Sequence, residues 1–189
     1  MRIISLNNNE KQLIKRSIKG DQQAQKLLYE KFAPKMLGVC RQYVKDLHYA
    51  EDVMVTGFIK VFNNLSSFGF KGSFEGWIRT IMVRESISHL RKKQFVVYDE
   101  DAIDVHHEHP THQDSVLDME YVQHLIDALP EGYKAVFLLY AIEGFGHKEI
   151  AEMLDISEGT SKSQLFKARK MLQENLTLKG MSPRRESGK

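Results

Sequence analysis

Between residues 94 and 118 the sequence carries no apolar stripe of helical period, although such stripes run almost without a break on either side. Apolar residues recurring every three or four positions mark helices that hide one face, and a segment without them cannot join the same core. Two helical bodies are therefore expected. Before the gap, Leu27, Leu28, Phe32, Met36, Val39, Cys40, Tyr43 and Val44 form one stripe, and Val53, Met54, Phe58, Val61, Phe62 and Leu65 form the next. A short basic helix over 10–19 ends at Gly20, Asp21 caps the first long helix, Pro34 should kink it, and Asp46 or His48 opens its successor. Ser73 caps a fourth helix with Phe74, Trp77, Ile78 and Ile81 on one side. After the gap, a fifth helix over 117–129 carries Val122, Leu125, Ile126 and Leu129 and stops at Pro130; Val136, Phe137 and Tyr140 mark another over 133–140, ending near Gly144. Runs of alternating β-branched residues are absent, so the fold class expected is all-α: two small helical domains joined by a flexible acidic linker. The boundaries expected are 1–95, 96–116 for the linker, 117–176, and a disordered tail at 177–189.

Charge divides the chain the same way. The net charge is only +2, yet residues 1–97 hold 17 basic and 8 acidic side chains, residues 98–146 hold 1 and 11, and residues 147–189 hold 9 and 6. Basic lobes are what a polyanion-binding protein presents, although a charged run also serves as a solvated face.

The stretch HKEIAEMLDISEGTSKSQLFKARKML, residues 147–172, reads as two short helices meeting at a tight turn. Ile150, Ala151 and Leu154 line one face of the first. Leu154-Asp155-Ile156 breaks the pattern, and Ser157 offers an N-cap hydroxyl to a second helix that buries Leu165, Ala168 and Leu172. The opposite face carries Thr160, Lys162, Ser163, Gln164, Lys167 and Lys170. Hydrogen-bonding groups and cations in that array suit phosphates and base edges in a major groove, which makes the pair a helix-turn-helix candidate with 158–172 as its recognition helix. Any small bundle with a polar outer face shows the same pattern.

Residues 63–72, NNLSSFGFKG, combine polar turn formers with two aromatics, two glycines and a lysine, off helical spacing. Exposed rings beside cations can hold an unstacked base, because every base has a π face and every nucleotide a phosphate. A hydrophobic loop folded back onto the core fits that composition equally well.

Two stretches resemble one family. The string AEDVMVTGFIKVFNNLSSFGFKGSFEGWIRTIMVRESISHLRKK is similar to the second conserved region of bacterial sigma factors, and ALPEGYKAVFLLYAIEGFGHKEIAEMLDISEGTSKSQLFKARKML to the fourth. The likeness covers most of residues 10–175 and is nearest to the compact extracytoplasmic-function group. It implies an alternative sigma factor that binds RNA polymerase core and directs promoter-specific initiation. Residues 1–95 would be the region 2-like domain, and residues 117–176 the region 4-like domain reading the minus-thirty-five element. Asp52, Phe58 and Lys60 would face the largest polymerase subunits. Asn64, Phe68, Lys71, Trp77, Arg79, Arg84, Arg91 and Lys92 would contact the minus-ten DNA, with Phe68 at a pocket for a flipped base. Thr160, Lys162, Ser163, Gln164, Phe166 and Lys167 would contact the minus-thirty-five element. Gln164 stands where many relatives have Arg, which implies a shift from guanine toward adenine.

The expected partners are RNA polymerase core, promoter DNA and an anti-sigma factor. No catalytic constellation is visible: no phosphate-binding glycine loop and no nucleophile elbow. The histidines His106, His107, His109 and His112 lie in the linker without a cysteine to complete a zinc site, so no metal and no cofactor is expected. Cys40, the single cysteine, is expected to be a buried thiol. The opening residues lack a signal-peptide core, no apolar run approaches the ~20 residues of a membrane span, and the expected location is the cytoplasm without membrane insertion. The alternative function is a free-standing helix-turn-helix regulator.

Overall fold

A computed structural model of the chain describes residues 2–94 and 119–178, with side chains at 9–92 and 121–176. The chain divides into two compact units, residues 1–96 and 97–189. The acidic segment with its histidines, and the tail beyond residue 178, lie outside the described residues. Among the described residues every regular element is helical.

The first unit holds α1 (Arg2–Ile18), α2 (Gln22–Tyr43), α3 (Leu47–Asn63) and α4 (Phe74–Gln94), with a 3-10 turn at Leu65–Ser67 after α3. Helix α1 starts eight residues before the stretch marked by its basic amphipathic pattern, since residues 2–9 hold neither glycine nor proline to stop it. Asp21 caps α2: its carboxylate accepts the Ala24 N–H at 3.0 Å and Arg16 Nε at 2.8 Å, and these bonds to the charged form hold its pKa below the usual value. Asp46 does the same for α3 through the Tyr49 N–H at 3.1 Å, and Ser73 Oγ accepts the Gly76 N–H at 3.3 Å in the first turn of α4. Helix α2 continues through Pro34, which is exposed.

Helices α2, α3 and α4 pack on one another and α1 packs on α2. Leu28, Met36, Val61, Ile78, Met82 and Val83 fill the middle, none more than 1% exposed. Gly57 lets α3 and α4 approach: a Cβ there would lie 2.4 Å from Met82 Sδ. Cys40 is fully buried, and desolvation pushes its thiol up to about 11.

The second unit holds α5 (Met119–Asp127), α6 (Glu131–Phe137), α7 (His147–Leu154) and α8 (Glu158–Leu178), with a π turn at Leu138–Ile142 extending α6. Its core joins Leu129, Val136, Leu139, Ile150, Leu165 and Ala168. Lys134 is a buried cation whose Nζ reaches Asp127 Oδ1 at 2.5 Å, tying α6 back to α5. Two details of α8 differ from the sequence reading. Leu172 is half-buried, and Ser161, which shares the apolar phase of Leu165 and Ala168, is fully buried instead.

Candidate nucleic-acid interface

In the second unit, Asp155 adopts the left-handed conformation, φ +57° and ψ +47°, and closes α7. This conformation usually selects glycine, and aspartate is among the few residues that tolerate it. Ser157 Oγ then accepts the Thr160 N–H at 2.9 Å and starts α8. The two helices are pinned by a hydrogen bond of 2.9 Å between His147 Nδ1 and the buried Ser161 Oγ. The His147 ring stacks on Tyr140 at 4.8 Å, and Arg169 lies 5.4 Å from the Tyr140 centroid. A helix-turn-helix held this way presents α8 as a rigid rod.

The expected contact residues on that rod fall into different environments. Phe166 is 68% exposed, the most exposed large apolar side chain described, and Lys167 and Ser163 share its outward side. Thr160 Oγ1 lies 2.8 Å from Ser157 Oγ, so it serves the cap, and Ser163 Oγ donates to the Thr160 carbonyl at 3.0 Å. Lys162 pairs with Glu158 at 2.6 Å, and Lys167 Nζ lies 5.8 Å from the Tyr133 ring. The Glu158 carboxyl is held below its usual pKa, first by the Lys162 hydrogen bond. Gln164 is half-buried beside Gly132 of α6, where a Cβ would lie 3.4 Å from Gln164 Nε2. Base reading by Gln164 would require it to leave that niche.

In the first unit, the loop after α3 differs from the open aromatic loop considered from sequence. Phe68 is only 7% exposed, its ring 5.1 Å from Phe74 and 5.5 Å from Trp77. It is a core residue because α4 brings Phe74 and Trp77, themselves stacked at 5.8 Å, directly under the loop. Phe70 is the exposed ring, 38% accessible and 5.1 Å from Phe68. The Asn64 side-chain amide caps α3 through the Lys60 carbonyl at 2.9 Å, while Lys71 is exposed.

On α4, Trp77, Arg84 and Arg91 recur every seven residues and share one face, with the exposed Lys92 beside it. Arg79 does not join this row. It lies roughly 200° from Trp77 around the helix, on the side of Glu75, which pairs with Lys35 of α2 at 2.5 Å.

The expected polymerase-facing residues also separate. Phe58 is 3% exposed and packs edge-on against Tyr29 at 4.8 Å, so it supports the helix from inside. Asp52 and Lys60 are exposed, and Lys60 bonds Glu85 of α4 at 2.6 Å. Between them, Val55 at 46% and Ile59 at 56% form the apolar part of the outer face. Their i, i+4 spacing, out of phase with the buried stripe, was the available signal for them.

Comparison with known proteins gives both units a family. The sigma-70 region 2 model matches residues 28–96, and the sigma-70 region 4 model matches residues 119–172. The ECF RNA polymerase sigma factor SigW of Bacillus subtilis is 27% identical over 179 residues, covering 88% of this chain and 96% of SigW. The RNA polymerase sigma-H factor of Pseudomonas aeruginosa is 29% identical over 180 residues, covering 88% of this chain and 93% of that protein. Among solved structures, the Bartonella quintana sigma factor RpoE in complex with the anti-sigma factor NepR is 24% identical, with a TM-score of 0.48, covering 81% of this chain and 96% of that one. With region 2 and region 4 in the same order and relatives matched over nearly their full length, the chain belongs to the sigma-70 family, as a sigma factor of the extracytoplasmic-function group that directs promoter-specific transcription initiation.

Proposed function

We propose that the two units are two different DNA grips acting on one promoter, with residues 1–95 also carrying the attachment to RNA polymerase core. The observation behind this reading is that the two candidate DNA faces are built on different principles. One is a loop packed on aromatics beside a helix with Trp77, Arg84 and Arg91 in a row; the other is a rigid helix-turn-helix with an outward Phe166 and Lys167. A helix suits the major groove of duplex DNA, whereas rings and cations on a loop suit a strand that has come out of the stack. The first unit would therefore hold the melted minus-ten element and the second the duplex minus-thirty-five element.

Within the first unit, Lys71, Arg84, Arg91 and Lys92 contact phosphates, Trp77 lies along the separated strand, and Phe68 holds the loop from below. Within the second, Phe166 makes apolar contact with base edges while Lys167 and Lys162 contact phosphates. Binding by Lys162 exchanges Glu158 for a phosphate. Asp52, Val55, Ile59 and Lys60 form the core-polymerase face of α3, and an anti-sigma factor covering these exposed apolar side chains would compete with core. Residues 96–116 link the two grips. No described helix is long and apolar enough to cross a membrane, and the site of action is the cytoplasm, where core polymerase and chromosome are.

Run-off transcription with purified core polymerase tests the reading. Core plus this protein should initiate at promoters that core alone ignores, and Val55→Asp with Ile59→Asp should abolish initiation while leaving the duplex affinity of the second unit unchanged. Failure of the wild type to join core would refute the reading.

A further inference from the structure

A cleft of about 490 Å³ opens in the first unit between α1 and the loop that precedes α4, lined in part by Glu10, Lys11, Phe68, Phe70, Ser73 and Phe74. Its size lies within the range of small-ligand pockets, ~300–1,000 Å³. Three features of the cleft point to the same occupant. Phe70, on its rim, holds a left-handed backbone at φ +53°, a conformation that is unfavourable for a bulky residue and persists where the surroundings enforce it. The surroundings here are Phe68, which backs the ring at 5.1 Å, and Lys11 of α1, whose Nζ lies 5.6 Å from its centroid. The effect of the strained backbone is to keep an aromatic ring 38% exposed at the mouth of a cleft whose floor is aromatic. Glu10 sets the chemistry of the opposite wall. Its Oε2 holds Lys31 at 2.5 Å, which fixes the carboxylate in place and leaves Oε1 without a described partner.

We infer that α1 and the loop together form a clamp for one unstacked nucleotide of the melted strand, in which Phe70 stacks on the base, Lys11 binds its phosphate and Glu10 accepts a hydrogen bond from an exocyclic amine. A ring platform, a cation and a fixed acceptor around a cleft of this size are the complement of a single nucleotide. The surrounding lobe, with 17 basic and 8 acidic residues over 1–97, draws in a polyanion. Adenine, cytosine and guanine carry an exocyclic amine, whereas the one edge donor of thymine, N3–H, is flanked by two carbonyl oxygens that repel a carboxylate, so Glu10 selects against thymine. Residues 10 and 11 precede the family match, which starts at residue 28. The clamp rests on the strand-capture reading above and adds a second wall to it, from a helix outside the conserved region.

The test uses the full chain and fluorescein-labelled single-stranded heptanucleotide pools, random except for a central position fixed as A, C, G, T or an abasic site. Wild type should bind the A, C and G pools more tightly than the T and abasic pools. Phe70→Ala should weaken the base-containing pools about tenfold, the scale of one lost stacking contact, and leave the abasic pool unchanged. Lys11→Met, which keeps the aliphatic packing on Phe70, should lower the salt dependence of log K by about 0.7, the signature of one lost phosphate contact on a single strand. Glu10→Gln should shrink the discrimination against thymine. If Phe70→Ala and Lys71→Ala weaken binding while Lys11→Met and Glu10→Gln leave slope and base preference at wild-type values, the α1 wall is refuted and loop capture stands. If Phe70→Ala and Lys71→Ala also bind as wild type does, strand capture by the loop is refuted with it.

Discussion

Phe68 and Phe166 stand in the two candidate DNA faces, and one is 7% exposed while the other is 68% exposed. In the first unit the aromatic loop is continuous with the core: Phe68 touches Phe74 and Trp77 of α4 below it and Phe70 above it. In the second, the face of α8 that carries Phe166 is opposite the face that carries Leu165 and Ala168. On the proposed reading, DNA contact and stability are therefore coupled in the first unit and separable in the second. A strand that must be pulled from a duplex needs a rigid, preorganised receptor, whereas a major groove needs only a helix of the right surface.

The largest expected effect breaks the coupled side. Phe68→Ala should destabilise the first unit by about 3–4 kcal/mol, the usual cost of truncating a buried Phe. Urea unfolding followed by the fluorescence of Trp77, the single tryptophan, reports that unit alone. Unchanged unfolding would show that the loop is not part of the core. Next, Gly57→Ala should cost about 1–2 kcal/mol by the same readout, because the new Cβ meets Met82 Sδ at 2.4 Å, more than the helical gain over glycine returns. On the separable side, Ser161→Ala should cost about 1 kcal/mol by removing the His147 partner between α7 and α8. Differential scanning calorimetry should show this in the transition of the second unit only. Phe166→Ala should leave stability within about 0.5 kcal/mol of wild type while lowering affinity for minus-thirty-five duplex in a gel-shift assay. A stability loss comparable to that of Phe68→Ala would erase the contrast.

The smallest effects are electrostatic. Asp21 has a folded pKa below its ordinary 3.8, so its stabilisation of α2 is present above that value and is lost as pH falls through the lower folded one. Asp21→Asn should flatten the acid limb of the first unit's unfolding profile. Cys40 has the opposite sign: its folded pKa of about 11 lies above the unfolded 9.0, so stability falls as pH rises between them. A thiol reagent at neutral pH should accordingly label Cys40 only as fast as the unit unfolds.

Much of the fold was legible because it depends on local sequence. The caps at Asp21, Asp46, Ser73 and Ser157 are visible as oxygen-bearing side chains before apolar periods, and each makes its bond. Phe58 illustrates the opposite case. Its phase marked it as core, and only its place in the resembling region suggested an outward role; the buried contact with Tyr29 shows what the phase alone had already indicated. Arg79 was grouped with Arg84 and Arg91 by the family resemblance, yet its angle around α4 puts it with Glu75. For Gln164, nothing in the local sequence indicates Gly132, which lies on another helix.

Local sequence is enough to mark two helical units on either side of an acidic segment, the first of them strongly basic, and a helix-turn-helix at the end of the second, because caps, breaks and apolar phase act over a few neighbouring residues. Which aromatic of the loop faces out, that Lys11 of α1 reaches Phe70, and that Ser161 joins His147 follow from packing between elements. Those choices depend on which elements pack beside the residue, and a side chain's spacing along its own helix contains no record of its neighbours.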